Sequence, residues 1–120
     1  MAGYSYRDLD VWQKAMDLVL ECYKLAQRFP SDERYGLISQ IQRATVSVPA
    51  NIAEGQARQY AKEFIHHLSI AQGSLAEVET YIQLAERLGY VSEEQVQGIL
   101  NYTDQVARMI AGLQKSLKNQ

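Results

Sequence analysis

Apolar residues recur at steps of three and four along almost the whole chain, and this spacing constrains the fold more than any other feature. It places side chains on one face of a helix, because an α-helix completes a turn every 3.6 residues. Short breaks that contain glycine, proline or charged residues interrupt the spacing at residues 29–32, 54–58 and 88–92. The pattern predicts no strand and four helices, at about 8–29, 32–57, 60–88 and 92–118.

Long amphipathic helices joined by short connections pack as antiparallel neighbours. The 120 residues suit a single domain, and a chain of this length buries a core without help from metal ions or disulfides. We therefore predict an all-α fold in which residues 1–120 form one up-down-up-down antiparallel four-helix bundle.

Pro49 lies inside the apolar row of the second predicted helix. Proline has no backbone N–H and its ring crowds the preceding turn, so it either kinks a helix or ends it. A kink near Thr45–Val48 and a break into two helices are both compatible with this. The apolar spacing continues in phase to Ile52, which favours the kink.

Residues at the segment boundaries indicate where the helices begin and end. Ser92 opens a capping-box pattern for the fourth helix, and Gly89 is suited to end the third. Asp8 is a candidate cap or first-turn acid for the first helix, and Ser31 or Asp32 is a candidate cap for the second.

The first segment has two apolar rows, which is more than one core normally needs from a helix. The extra row is either buried deeply within the monomer or covered by another copy of the chain. One row consists of Leu9, Trp12, Met16, Val19, Tyr23 and Ala26. We assign the other row to an oligomer interface, made of Val11, Ala15, Leu18, Cys22 and Leu25.

No arrangement of residues in the sequence indicates catalysis. Cys22 is the only cysteine, and its place on an apolar row predicts a small buried hydrophobe. Glu63 and His66 have the Glu-x-x-His spacing of carboxylate-bundle enzymes, but the second such motif that a two-metal site needs is missing. We predict a non-catalytic protein without cofactor or metal, with a metal-dependent enzyme using Glu63 and His66 as the alternative.

A polar row accompanies the apolar row of the second helix, and a polar patch lies on the third. Together they predict a hydrogen-bonded and ionic network that fixes helix register, for example through an Arg43–Glu77 pair. A ligand site is the alternative. The residues assigned to this network are Arg43, Ser47, Asn51, Glu54, Ser74 and Glu77.

A few basic residues form a candidate nucleic-acid or partner surface. Arg58 and Lys62 flank Tyr60, and cations beside an aromatic ring can bind phosphate and stack a base. Arg43 is included in the same surface. The net charge of −2 argues against strong binding by one copy, whereas a ring of copies would add weak contacts together.

The sequence contains no apolar run of the roughly 18 residues that a membrane span needs, and no signal-peptide core near its beginning. A lone cysteine also fits a reducing compartment. We expect a cytoplasmic protein that does not enter the membrane.

Three stretches resemble one bacterial protein family: RDLDVWQKA at 7–15, SVPANIAEG at 47–55 and GSLAEVET at 73–80. The chain is similar, from Tyr6 to Leu113, to the four-helix bundle proteins encoded in intervening sequences of large-subunit ribosomal RNA genes. These are also called ribosomal S23-like or IVS proteins, and accessory proteins of diversity-generating retroelements are related to them.

The resemblance implies a cytosolic homopentamer of four-helix bundles without enzymatic activity. The retroelement relatives bind nucleic acid and a reverse transcriptase, so RNA, DNA or a partner protein of that kind are implied besides the chain itself. Those relatives are strongly basic, whereas this chain is mildly acidic. Clustered Lys and Arg side chains supply most of the non-specific affinity for phosphate.

Overall fold

The structure, a computed structural model, describes residues 5–120. One 3-10 turn, Tyr6–Asp8, precedes the first α-helix, and another, Ser31–Glu33, precedes the second. The helices are α1 (Asp10–Ala26), α2 (Leu37–Ala57), α3 (Ala61–Arg87) and α4 (Glu93–Lys118). Residues 5–120 contain no strand, and the bundle measures 46 × 22 × 20 Å. The predicted all-α four-helix fold is confirmed.

Each helix packs against the next, and α1 closes the bundle against α4. The contact between α2 and α3 is the most extensive, while α1 and α3, over their described lengths, make no close backbone contact and occupy opposite corners. Within residues 5–120, none of the helices is both long enough and apolar enough to cross a membrane. The core contains, among its fully buried side chains, Leu18, Ile41, Ile52, Leu68, Ile82 and Ile110.

The row of α1 that was predicted to form an oligomer interface lies in this core instead. Ala15, Leu18 and Cys22 are fully buried, and Val11 and Leu25 are only 5% and 7% exposed. Side chains already packed inside one chain are not available to a second copy, so this assignment is wrong. In the other apolar row of α1, Met16 and Tyr23 are exposed, whereas Ala26 is buried.

The helix α2 runs without interruption through Pro49, which is buried. The alternative of two separate helices is therefore wrong. The kink near Thr45–Val48 stays a prediction.

The predicted signals between α3 and α4 are confirmed. Gly89 follows the end of α3 with a φ of 83°, a left-handed conformation that glycine adopts without strain. The Tyr90 N–H returns to the Ala85 carbonyl at 3.0 Å, and the Gly89 N–H to the Glu86 carbonyl at 2.9 Å. This pair of bonds satisfies two of the last carbonyls of the helix. The side chain of Ser92 caps α4 in the expected capping box.

The predicted starts of α1 and α2 are wrong by a few residues. Asp8 closes a capping box with Ser5 in the preceding 3-10 turn, and α1 begins after it without a side-chain cap. Neither Ser31 nor Asp32 caps α2, because both belong to a separate 3-10 turn and α2 begins at Leu37.

The side chain of Glu33 supplies the cap that α2 lacks locally. Its Oε1 accepts a hydrogen bond from the Leu37 N–H at 3.1 Å, and its Oε2 accepts one from the Tyr90 hydroxyl at 2.7 Å. The N–H of Leu37, and after it the hydroxyl of Tyr90, lower the pKa of Glu33. One carboxylate therefore ties the α1–α2 connection to the α3–α4 connection.

Acid should weaken this tie. Because the pKa of Glu33 is lowered in the folded state, its stabilising contribution is present above the ordinary value of 4.5 and is lost as the pH falls through the folded-state pKa. We expect urea unfolding to show a steeper acid-dependent loss of stability for the wild type than for Glu33→Gln. Tyr90→Phe, which removes one donor, should lie between them. Equal acid dependence of all three proteins would contradict this role.

Candidate functional site

Polar side chains join α2 to α3 across the most extensive contact of the bundle. Ser74 of α3 is only 5% exposed and donates its hydroxyl hydrogen to Ser47 Oγ of α2 at 2.9 Å. Asn51 Nδ2 donates to the Ser47 carbonyl oxygen at 2.9 Å and to Ser47 Oγ at 3.0 Å. Hydrogen bonds thus connect three of the six residues assigned to the network.

His67 of α3 extends this network and was missed by the sequence interpretation. Because Asn51 Nδ2 already donates to Ser47, the amide oxygen faces His67 and lies 3.1 Å from its Nδ1. An acceptor at this position requires a hydrogen on Nδ1. The available signal was spacing, since His67 precedes Ser74 by seven residues and so shares its helix face.

Glu54 and Arg58 form the exposed end of the network. Glu54 Oε2 lies 3.7 Å from His67 Nε2 and accepts a hydrogen bond from Arg58 Nη2 at 2.8 Å. The pKa of Glu54 is lowered first by that hydrogen bond and then by the charge of His67. Glu54 is therefore a carboxylate at neutral pH, and it engages the guanidinium of Arg58, the residue that follows α2.

Arg43 and Glu77 are brought together but do not form the suggested ion pair. They line one open cavity of about 300 Å³ with Gln40, Ser47 and Tyr81. The ion pairs within residues 5–120 do not include either charge. The example pair given for the network is wrong, while Ser47 connects this cavity to the hydrogen-bonded side chains.

The candidate basic surface is divided in the structure. Arg58 and Lys62 line an open cavity of about 470 Å³ together with Glu63, His66 and His67. Tyr60 immediately precedes α3 and is 67% exposed. Arg43 lies on α2, fifteen residues before Arg58, which is about 22 Å along a helix. Arg58 and Lys62 share one cavity near the α2–α3 connection, Tyr60 is exposed within that connection, and Arg43 lies apart from them.

The alternative metal pair lacks further ligands. Glu63 and His66 are exposed side chains at the α2–α3 connection. Across residues 5–120, no three His, Cys, Asp or Glu side chains are arranged to hold a metal ion. Cys22 is fully buried, as predicted, and burial raises the pKa of its thiol to about 11.

Exposed apolar side chains concentrate on two parts of the bundle. Met16, Leu20 and Tyr23 of α1 are 39%, 61% and 40% exposed. Val46 of α2 is 43% exposed and lines one groove with Tyr23. We call Met16, Leu20, Tyr23 and Val46 together the α1–α2 face. A second set, the α3 outer face, consists of Ile70, Gly73, Leu84 and Leu88, and its three large side chains are 39%, 45% and 50% exposed in that order.

Comparison with known proteins decides the family. A family model described as 23S rRNA-intervening sequence protein matches residues 7–112. The chain belongs to this family. The match spans the polar network and both exposed apolar faces.

A solved structure from Bacteroides thetaiotaomicron is similar to this chain and is described as a protein with unknown function from the S23 ribosomal protein family. Its sequence is 25% identical, and the alignment covers 88% of this chain and 98% of that chain, with a TM-score of 0.80. No curated protein matches the chain.

Proposed function

We propose that this intervening-sequence protein is a non-catalytic, homo-oligomeric interaction module of the cytoplasm, with the homopentamer as its assembly. The observation that supports self-association is the α1–α2 face. The core of one chain is complete without these four side chains, yet they stand together at the surface. An exposed apolar cluster of this kind is typical of a surface that meets another protein.

Covering the α1–α2 face lowers the free energy because it removes apolar surface from water, at about 25 cal/mol per Å². Leu20 contributes most per residue because it is 61% exposed. The wide apolar arc of α1 is thereby explained in two parts. The row of Leu18 fills the core of one chain, and the exposed Met16, Leu20 and Tyr23 are free to meet a second copy.

A charged residue in place of Leu20 should separate the copies without unfolding them. We expect the wild type to have a mass several times 13.6 kDa, five times for a pentamer, in light scattering coupled to size exclusion. Leu20→Glu should shift this mass to that of one chain while leaving helix content unchanged. Gln97→Glu, an exposed change on α4, is the control and should leave the mass unchanged. A wild type of monomeric mass would contradict the proposal.

A second candidate role is that of an accessory factor that binds RNA or DNA, or a partner protein such as a reverse transcriptase. It is favoured by Tyr60, whose exposed ring lies between Arg58 and Lys62 in the sequence. Lys62 belongs to none of the ion pairs within residues 5–120, whereas Arg58 would exchange Glu54 for a phosphate. It is also favoured by the ribosomal RNA context in the family's description. Assembly would repeat this surface several times, and the repeated contacts would add by avidity.

Nucleic-acid binding at this surface should depend steeply on salt, because each phosphate contact releases a counterion. We expect filter binding of structured RNA at about 50 mM salt and a loss of affinity of at least tenfold at about 200 mM salt. The double variant Arg58→Glu with Lys62→Glu should abolish this binding. Arg28→Glu, an exposed change in the α1–α2 connection at the opposite end of the bundle, should change it little. Equal binding by all three proteins would exclude the surface.

A further inference from the structure

We infer that the α3 outer face is the surface that receives the α1–α2 face of a second copy of this chain. This inference rests on the proposed self-association and names the second half of the contact. The two faces belong to different helices, and α1 and α3 occupy opposite corners of the bundle. A contact between them is therefore heterologous, joining two different surfaces of identical chains.

The type of contact determines which symmetric assemblies the chain can form. A contact in which one face meets itself produces only a pair, whereas two different complementary faces join chains head to tail and close into a ring when the rotation permits. A ring with an odd number of copies requires the second arrangement. The chain presents two separate exposed apolar faces, as such a ring needs.

The shape of the α3 outer face suits a projecting side chain. Leu84 and Arg87 border a notch of about 320 Å³ with Thr80 and Gln83. Leu20 is the most exposed aliphatic side chain of the α1–α2 face, so we place it in the notch of the next copy.

Charges beside the two faces are complementary. Asp17 directly follows Met16 and is exposed. Arg87 lies beside Leu84 and lines the same notch. Neither charge belongs to an ion pair within residues 5–120. These opposite, unpaired charges beside the two faces favour a second copy over an unrelated protein as the occupant.

Charge exchange tests this pairing. Asp17→Arg and Arg87→Asp should each raise the dissociation constant of the oligomer about tenfold or more in sedimentation experiments, and the double variant should return it to within about threefold of the wild type. Lys115→Asp, an exposed cation on α4, is the matched control and should leave it unchanged. Circular dichroism of each variant reports whether the helices remain intact.

Leu84→Glu provides a second, independent test and should dissociate the oligomer as Leu20→Glu does. If the wild type is an oligomer that Leu20→Glu separates, while Leu84→Glu leaves it intact and the double charge variant restores nothing, the α3 outer face is not the receiving surface. The proposed self-association would then stand and this inference would fall. A monomeric wild type would overturn both.

Discussion

Gly55→Ala is expected to destabilise the bundle by about 2 kcal/mol, within the range that overpacking a core costs. A Cβ at this position would lie 2.8 Å from His67 Cβ, 2.8 Å from Phe64 Cδ1 and 3.3 Å from the Phe64 carbonyl oxygen. Such distances are too short for carbon contacts, so α2 and α3 would have to move apart. The two helices make their most extensive contact with each other, and the polar network depends on their separation.

The matched control is Gly98→Ala on α4. A Cβ there meets no atom within 4 Å, so only the higher helix propensity of alanine remains, worth about 0.5–1 kcal/mol of added stability. Urea unfolding of both variants compares one substitution in two helix interiors. We expect changes of opposite sign. A stabilising Gly55→Ala would show that the α2–α3 contact adapts more easily than its geometry suggests.

The apolar spacing was sufficient to predict the four helices, because one buried face per helix is what a bundle requires. It was not sufficient to tell the two rows of α1 apart. Both the row of Leu18 and the row of Met16 are apolar, and only the rotation of α1 against its neighbours decides which one is buried. That rotation depends on packing with α2 and α4, which the spacing within α1 does not contain.

The polar residues also fall into those that the spacing could predict and those that it could not. Ser47, Asn51 and Ser74 could be predicted as a group because their spacing places each on the facing side of α2 or α3. His67 shares the helix face of Ser74, but this spacing alone does not tell whether its side chain reaches Asn51 of α2. Ser31 and Asp32 were the predicted caps of α2, but it is Glu33, in the same 3-10 turn, whose side chain caps that helix from four residues upstream.

Asn51→Leu is expected to lower the free energy of unfolding by about 1–3 kcal/mol, the cost of leaving partly buried polar groups without partners. The change preserves the approximate size of the side chain but removes the acceptor for His67 Nδ1 and the donor to Ser47. Asn101→Leu is the matched control, because Asn101 is exposed on α4 and accepts its hydrogen bond from Gln97 at the surface. It should alter stability by no more than about 0.5 kcal/mol.

A double-mutant cycle separates this hydrogen bond from general packing. Asn51→Ala and His67→Ala each remove one partner, and the loss in the double variant should be smaller than the sum of the single losses by about 1 kcal/mol. The contact joins two helices at the most extensive interface of the bundle, so the coupling should appear in global unfolding. Strict additivity would mean that the Asn51–His67 hydrogen bond contributes nothing. The register of α2 on α3 would then be set by apolar packing and the close approach at Gly55.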